Sequence, residues 1–168
     1  EYVQSHDQDL WTGWNFEDFD ARYFLERFDE LDKDPTKLSR DNYAKISNNK
    51  SAIIGGRVMY DLQNAWERTK RKEPDSTKLE YAAQTELGKG KVEHTNMGYH
   101  EMWEEDPELL MDYNAVDVTL CKELNDELGT LSFWRTIGDI VGVDWEDTRS
   151  NSDYIRMFCL RKLDEKGL

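Results

Sequence analysis

Two aspartates stand where apolar side chains belong. Asp20 has Phe16, Tyr23 and Phe24 as its i−4, i+3 and i+4 neighbours, and Asp117 has Tyr113, Leu120 and Cys121 in the same places. At helical spacing both carboxylates therefore project from apolar faces. Burying an unpaired carboxylate costs several kcal/mol. Any fold this chain adopts has to give each of them an ion-pair partner, a metal or a cleft. The plainest resolution is a capping or salt-bridged acid at a helix edge.

The segments around them have readable boundaries. Residues 9–14 read as a short strand ending at Asn15, and Asn15 as the N-cap of a helix running to Leu31. Glu17 and Asp18 fall in its first turn, where the helix dipole favours acids. Asp18 takes the N3 place of a capping box, and Trp14 and Phe19 the two places of a hydrophobic staple. The expected apolar stripe is Phe16, Phe19, Tyr23, Phe24, Phe28 and Leu31. Residues 34–52 are polar and read as loop with at most one helical turn. Gly55-Gly56 precede a buried strand at 57–62, and a helix at 62–70 follows. A second helix spans 77–87, capped by Ser76 or Thr77 and stopped at Gly88. Pro107 suits position N1 of a long helix to Leu128, with Leu110, Tyr113, Asp117, Leu120, Leu124 and Leu128 as its stripe. Helices near 131–141 and 152–166 finish the chain. No repeat or Pro/Gly-rich linker marks an internal boundary. The order predicts an α/β fold in which helix predominates.

Composition narrows the class. The 168 residues include 36 acids against 22 bases, a net charge of −14, which evenly spread would repel nucleic acid at long range. A solvated acidic face accounts for such a surplus. A salt-loving host is a further reading, against which stand 12 Lys to 10 Arg. The bases cluster at 68–72 and 89–91, two patches able to hold a strand locally. No apolar run approaches the ~20 residues of a membrane span, and the first residues lack a signal-peptide pattern. The expectation is a folded intracellular, cytoplasmic protein with no membrane partner. Its six Trp, eight Tyr and six Phe are too many for a disordered acidic chain. Cys121 and Cys159 form no C-x-x-C, and His6, His94 and His100 show no ligand spacing. Trp103, Trp134 and Trp145 read as core residues, although exposed tryptophans can stack on bases.

Taken together the two aspartates fit one chemistry. Magnesium and manganese prefer carboxylate oxygens, and a pair of such ions about 4 Å apart can activate water and steady a leaving phosphate oxygen. Tyr113, one turn before Asp117, is placed to hold the attacking water through its hydroxyl.

In order along the chain, these motifs resemble the proofreading 3′→5′ exonuclease domain of family B DNA polymerases. Thr12-Gly13-Trp14-Asn15-Phe16-Glu17-Asp18-Phe19-Asp20, followed by Tyr23 and Arg27, is similar to that family's second exonuclease motif. Tyr113-Asn114-Ala115-Val116-Asp117 is similar to its third. Gly56 to Leu62 resembles the strand between them, and Leu79 to Lys91 the next helix and turn. Residues 154–168 resemble the helix leading toward the palm. The resemblance covers essentially the whole chain. It implies a ribonuclease H-like fold, with Asp20 and Asp117 as metal-binding catalytic acids and Tyr113 orienting water. It further implies Lys91 at the scissile phosphate, and Asn15 and Phe19 near the DNA. The implied cofactors are two divalent ions, Mg²⁺ or Mn²⁺, and the implied partners are a single-stranded 3′ end and the rest of a polymerase.

The family's first motif, Asp-x-Glu on a central strand, has no counterpart ahead of Asn15. Asp7-Gln8-Asp9 is polar and sits where the family has the loop entering the strand. The chain is therefore expected to be a fragment cut from inside an exonuclease domain. A complete site offers roughly −4 of carboxylate charge to two divalent ions, and Asp20 with Asp117 supplies about half of that. The expectation is weak metal binding and little or no cleavage by the chain alone, with self-association through an unprotected sheet edge. Two other readings stay open: a non-catalytic strand-holding or structural domain of a polymerase-like protein, and an acidic protein-interaction domain.

Overall fold

The structure is a computed structural model that describes residues 2–47, 51–90 and 98–167. It is mixed α/β and rich in helix. The chain divides into two compact units, one made of Glu1–Trp66 with Thr130–Leu168 and the other of Glu67–Gly129.

The first unit is organised around two parallel strands. Strand β1 (Leu10–Gly13) pairs with β4 (Val58–Asp61) so that Leu10 lies opposite Val58 and Gly13 opposite Asp61. A short helix α1 (Tyr2–His6) precedes β1, and helix α2 (Asp20–Glu30) follows it. A single 3-10 turn at Pro35–Leu38 is capped by Asp34, whose side chain accepts the Thr36 N–H. An antiparallel hairpin, β2 (Ala44–Ile46) with β3 (Ala52–Ile54), comes next. Helix α3 (Leu62–Glu67) starts directly from β4. One core gathers Phe16, Ala21, Leu25, Leu38, Ala52, Ile54 and Met59. A second joins Tyr60 and Ala65 to Trp134, which brings in helix α7 (Thr130–Val141). Trp134 donates its indole N–H to the Ala65 carbonyl at 3.0 Å. The Tyr60 hydroxyl lies 2.9 Å from Thr148 Oγ1, which ties β4 to the 3-10 turn Glu146–Arg149. Helix α8 (Asn151–Asp164) ends the unit.

The second unit is helical among its described residues. Helix α4 (Leu79–Leu87) buries Leu79, Ala82 and Ala83, and ends in a left-handed Gly88. Helix α5 (Tyr99–Glu105) and helix α4 both pack on α6 (Pro107–Leu128). The ends of α6 follow from sequence chemistry. Asp106 caps it by accepting the Leu109 N–H at 3.0 Å, Pro107 needs no N–H partner at N1, and Gly129 closes it at φ +60°. Leu120 and Leu124 are buried, as the stripe predicts.

The structure corrects the start of α2. Asn15 is no N-cap: its φ is +57°, in the left-handed region that asparagine tolerates better than most residues. Residues 14–19 form turns, and the helix begins at Asp20 with no side-chain cap. Glu17 and Asp18 therefore precede the helix, and no capping box forms. Trp14 packs on Trp66 (5.5 Å between ring centroids), while Phe19 is 65% exposed and stacks on Tyr23. The buried stripe is Ala21, Leu25 and part of Phe28; Tyr23, Phe24 and Leu31 face solvent. The segment 34–52, expected to be loop with at most one helical turn, holds the 3-10 turn and, beyond that expectation, β2 and the start of β3. Trp134 is buried, Trp145 half-buried and Trp103 exposed.

Candidate functional site

The acid-bearing turn of the first unit sits at the carboxyl ends of β1 and β4, the end of a parallel sheet where ligands commonly bind. Glu17 and Asp61 grip each other reciprocally. The Glu17 N–H donates to Asp61 Oδ2 and the Asp61 N–H to Glu17 Oε1, both at 3.2 Å. Asp61 Oδ1 also accepts the Asn64 N–H at 2.9 Å, so this one carboxylate both joins the strand to the turn and starts α3. Arg149 reaches in from the 3-10 turn after α7 and donates from Nη1 to Glu17 Oε2 at 2.8 Å.

Asp20 follows at the first position of α2, half-buried. Loss of hydration pushes its carboxyl above the usual aspartate range, and the nearby charge of Asp61 pushes the same way. Burial also raises Asp61, against the pull of backbone N–H groups from Asn64, Glu17 and Gln63. Burial raises Glu17 as well, opposed by the Arg149 guanidinium. Three carboxyls here thus hold their protons more tightly than free carboxyls do. Asn15 and Phe19 belong to the same turn, through the Phe19 N–H to Asn15 carbonyl bond of 3.1 Å.

Tyr113 and Asp117 lie one turn apart on α6 in the second unit, both half-buried, with Asp117 Oδ1 out of contact with solvent. The Tyr113 hydroxyl lies 3.2 Å from that of Tyr99, and the rings meet edge to face at 5.6 Å. Lys91 lies outside the described residues, as does His94. Its neighbour Lys89 pairs with Glu123 at 2.8 Å, and Lys70 of the other basic run pairs with Glu86. Part of each basic patch is therefore neutralised locally.

Asp7 and Asp9 are committed to arginines. Arg40 donates to Asp7 Oδ1 at 2.8 Å and to Asp9 Oδ1 at 2.6 Å. The buried Arg57 adds a 3.1 Å contact to Asp7 while donating to the Leu38 and Gln8 carbonyls. The hydrogen bond from Arg40 holds the Asp7 carboxyl below its usual range. These acids fasten the entry to β1.

Asp61 and Arg149 are absent from the residues singled out in the sequence, and Glu17 stands there only as a first-turn acid. Asp61 had a signal, since an acid closing an apolar strand directly before a helix lies at the strand's carboxyl end. Arg149 had none: it is 132 positions from its partner. Among the described residues, no three metal-capable side chains come together, and no helix is long and apolar enough to cross a membrane. No protein-family model matches the chain, and no curated protein matches it.

Proposed function

We propose that this chain belongs to the proofreading exonuclease domain of a family B DNA polymerase, a ribonuclease H-like fold that removes mispaired 3′-terminal nucleotides. The observation that carries this reading is the strand–turn–helix of the first unit. Thr12-Gly13 close a strand in a parallel pair, and Asp20 follows on the first turn of the next helix beside Asp61. The resemblance calls for a metal-binding carboxylate at that place. The Tyr113–Asp117 spacing on one long helix supports it from the second unit. In this reading Asp20 and Asp117 are acids of the metal site, Tyr113 orients water, Lys91 meets the scissile phosphate, and Asn15 and Phe19 lie along the terminal nucleotide.

The reading calls for an Asp-x-Glu pair to complete the site for two divalent ions, and assigns the metal-assisted chemistry to a chain that carries it. The Tyr99–Tyr113 hydroxyl contact favours a second reading, a strand-holding domain without chemistry, since it engages the oxygen meant for water.

The test is degradation of a 5′-labelled single-stranded oligonucleotide in Mn²⁺ by this chain, by an upstream-extended chain, and by the extended chain carrying Asp117→Ala. Cleavage by the extended chain alone, lost on Asp117→Ala, is the expected outcome. No cleavage even when extended would transfer the assignment to the strand-holding domain.

A further inference from the structure

The Asp20 turn is held from a distant part of the chain. A cation reaches it from Arg149, whose side chain is one-third exposed and whose partner Glu17 is one-fifth exposed. Glu17 fixes the backbone from which Asp20 projects. Its own N–H donates to Asp61 and its Oε1 accepts the Asp61 N–H, and the adjoining Phe16 carbonyl accepts the Ala21 N–H at 2.9 Å. A shift of Glu17 therefore carries into the first turn of α2. Without a cation at Glu17 Oε2, the Glu17 and Asp61 carboxylates would face each other with only backbone N–H groups between them, and like charges at that range separate.

We propose that Arg149 is a positioning residue for Asp20, acting through Glu17 and Asp61 to hold the acid-bearing turn against the ends of β1 and β4. Its service to catalysis rests on the exonuclease reading, whereas the positioning itself does not. The 3-10 turn Glu146–Arg149 is fastened to the same strand by the Tyr60–Thr148 hydroxyl contact. Arg149 is therefore presented from a fixed base rather than from a loose loop.

The experiment is NMR on the full chain at constant pH, reading the carbon-13 carboxyl resonance of Asp20 and hydrogen exchange at the Glu17 and Asp61 amides. In Arg149→Gln the Asp20 resonance should move and those two amides should exchange at least about tenfold faster, while Leu120 and Leu124 of the other unit keep their rates. Arg149→Lys, which retains a cation within reach of Glu17, should return the resonance toward its original place. Glu17→Gln keeps the acceptor for the Asp61 N–H and removes the charge that would repel Asp61, so Arg149→Gln made in that background should move the Asp20 resonance much less than Arg149→Gln alone. An Asp20 resonance unmoved in Arg149→Gln overturns the proposal, as does an Arg149→Lys protein as displaced as Arg149→Gln. Loss of the fold in both Arg149→Gln and Glu17→Gln also counts against it, because the pair then serves the core and not Asp20. A displaced Asp20 with no nuclease in the extended chain would sink the exonuclease reading and leave the positioning standing. An active nuclease with an unmoved Asp20 would do the reverse.

Discussion

Asp20 carries a stability cost near neutral pH. Its carboxyl is raised above the usual range by lost hydration and by Asp61. A group raised in this way favours the folded state fully below its unfolded pKa, where both states are protonated. That contribution is lost as the pH rises through the folded value. Asp20→Asn, neutral at every pH, should therefore be more stable than the natural chain near pH 7. The difference should shrink to nothing once the pH falls below 3.8, the ordinary aspartate value. Urea denaturation of both proteins near pH 7 and at about pH 3 measures this directly. An equal or lower midpoint for Asp20→Asn near pH 7 would mean that Asp20 is an ordinary structural acid. Stability given up at a charged site is a common mark of function.

At the level of elements, the start of α2 shows where sequence chemistry is ambiguous. Asparagine is favoured both as an N-cap and in the left-handed conformation, and a capping pattern downstream of Asn15 selects the first. The chain uses the second, and the turn that follows is held to β4 through Glu17 and Asp61. Asn15→Gly should accordingly be tolerated, and Asn15→Ser, a good cap but a poor left-handed residue, should cost about 1 kcal/mol in thermal or urea unfolding. The opposite order would restore the cap. The buried stripe of α2 was hidden for a related reason. Phe19, Tyr23 and Phe24 draw the eye to one face, whereas Ala21, Leu25 and part of Phe28 are the residues of α2 that meet the core of Leu38 and Ile54. The hairpin escaped because strands of three residues are too short to show alternation, and α1 and α5 because each is under two turns of mostly polar residues. The long helix α6 was legible because Pro107 and an unbroken apolar stripe mark it. So were β4, α3 and α7, whose apolar runs sit between clear turn signals. At the candidate site, the strand and turn leading to Asp20 could be read locally. Its supports, Asp61 and Arg149, are 41 and 129 positions from it along the chain, and no local pattern encodes such pairings.

On the scale of the whole molecule, each of β1 and β4 has one strand neighbour among the described residues, and the same holds for β2 and β3. Unpaired strand edges invite pairing between copies. Light scattering across a concentration series should show association beyond the monomer. A strictly monomeric mass throughout would mean that these edges are protected. The net charge of −14 opposes association at long range, so the effect should strengthen as salt screens it.

The first unit is built from two stretches of chain separated by the 63 residues of Glu67–Gly129. During synthesis from the amino end, the second unit can close on itself as soon as Gly129 has emerged. The first must wait for Trp134, Thr148 and Arg149 to reach Ala65, Tyr60 and Glu17. The carboxylate turn is thus set after the second unit can close, and a nascent chain stopped short of Arg149 would carry Asp20 without the side chain that steadies its turn.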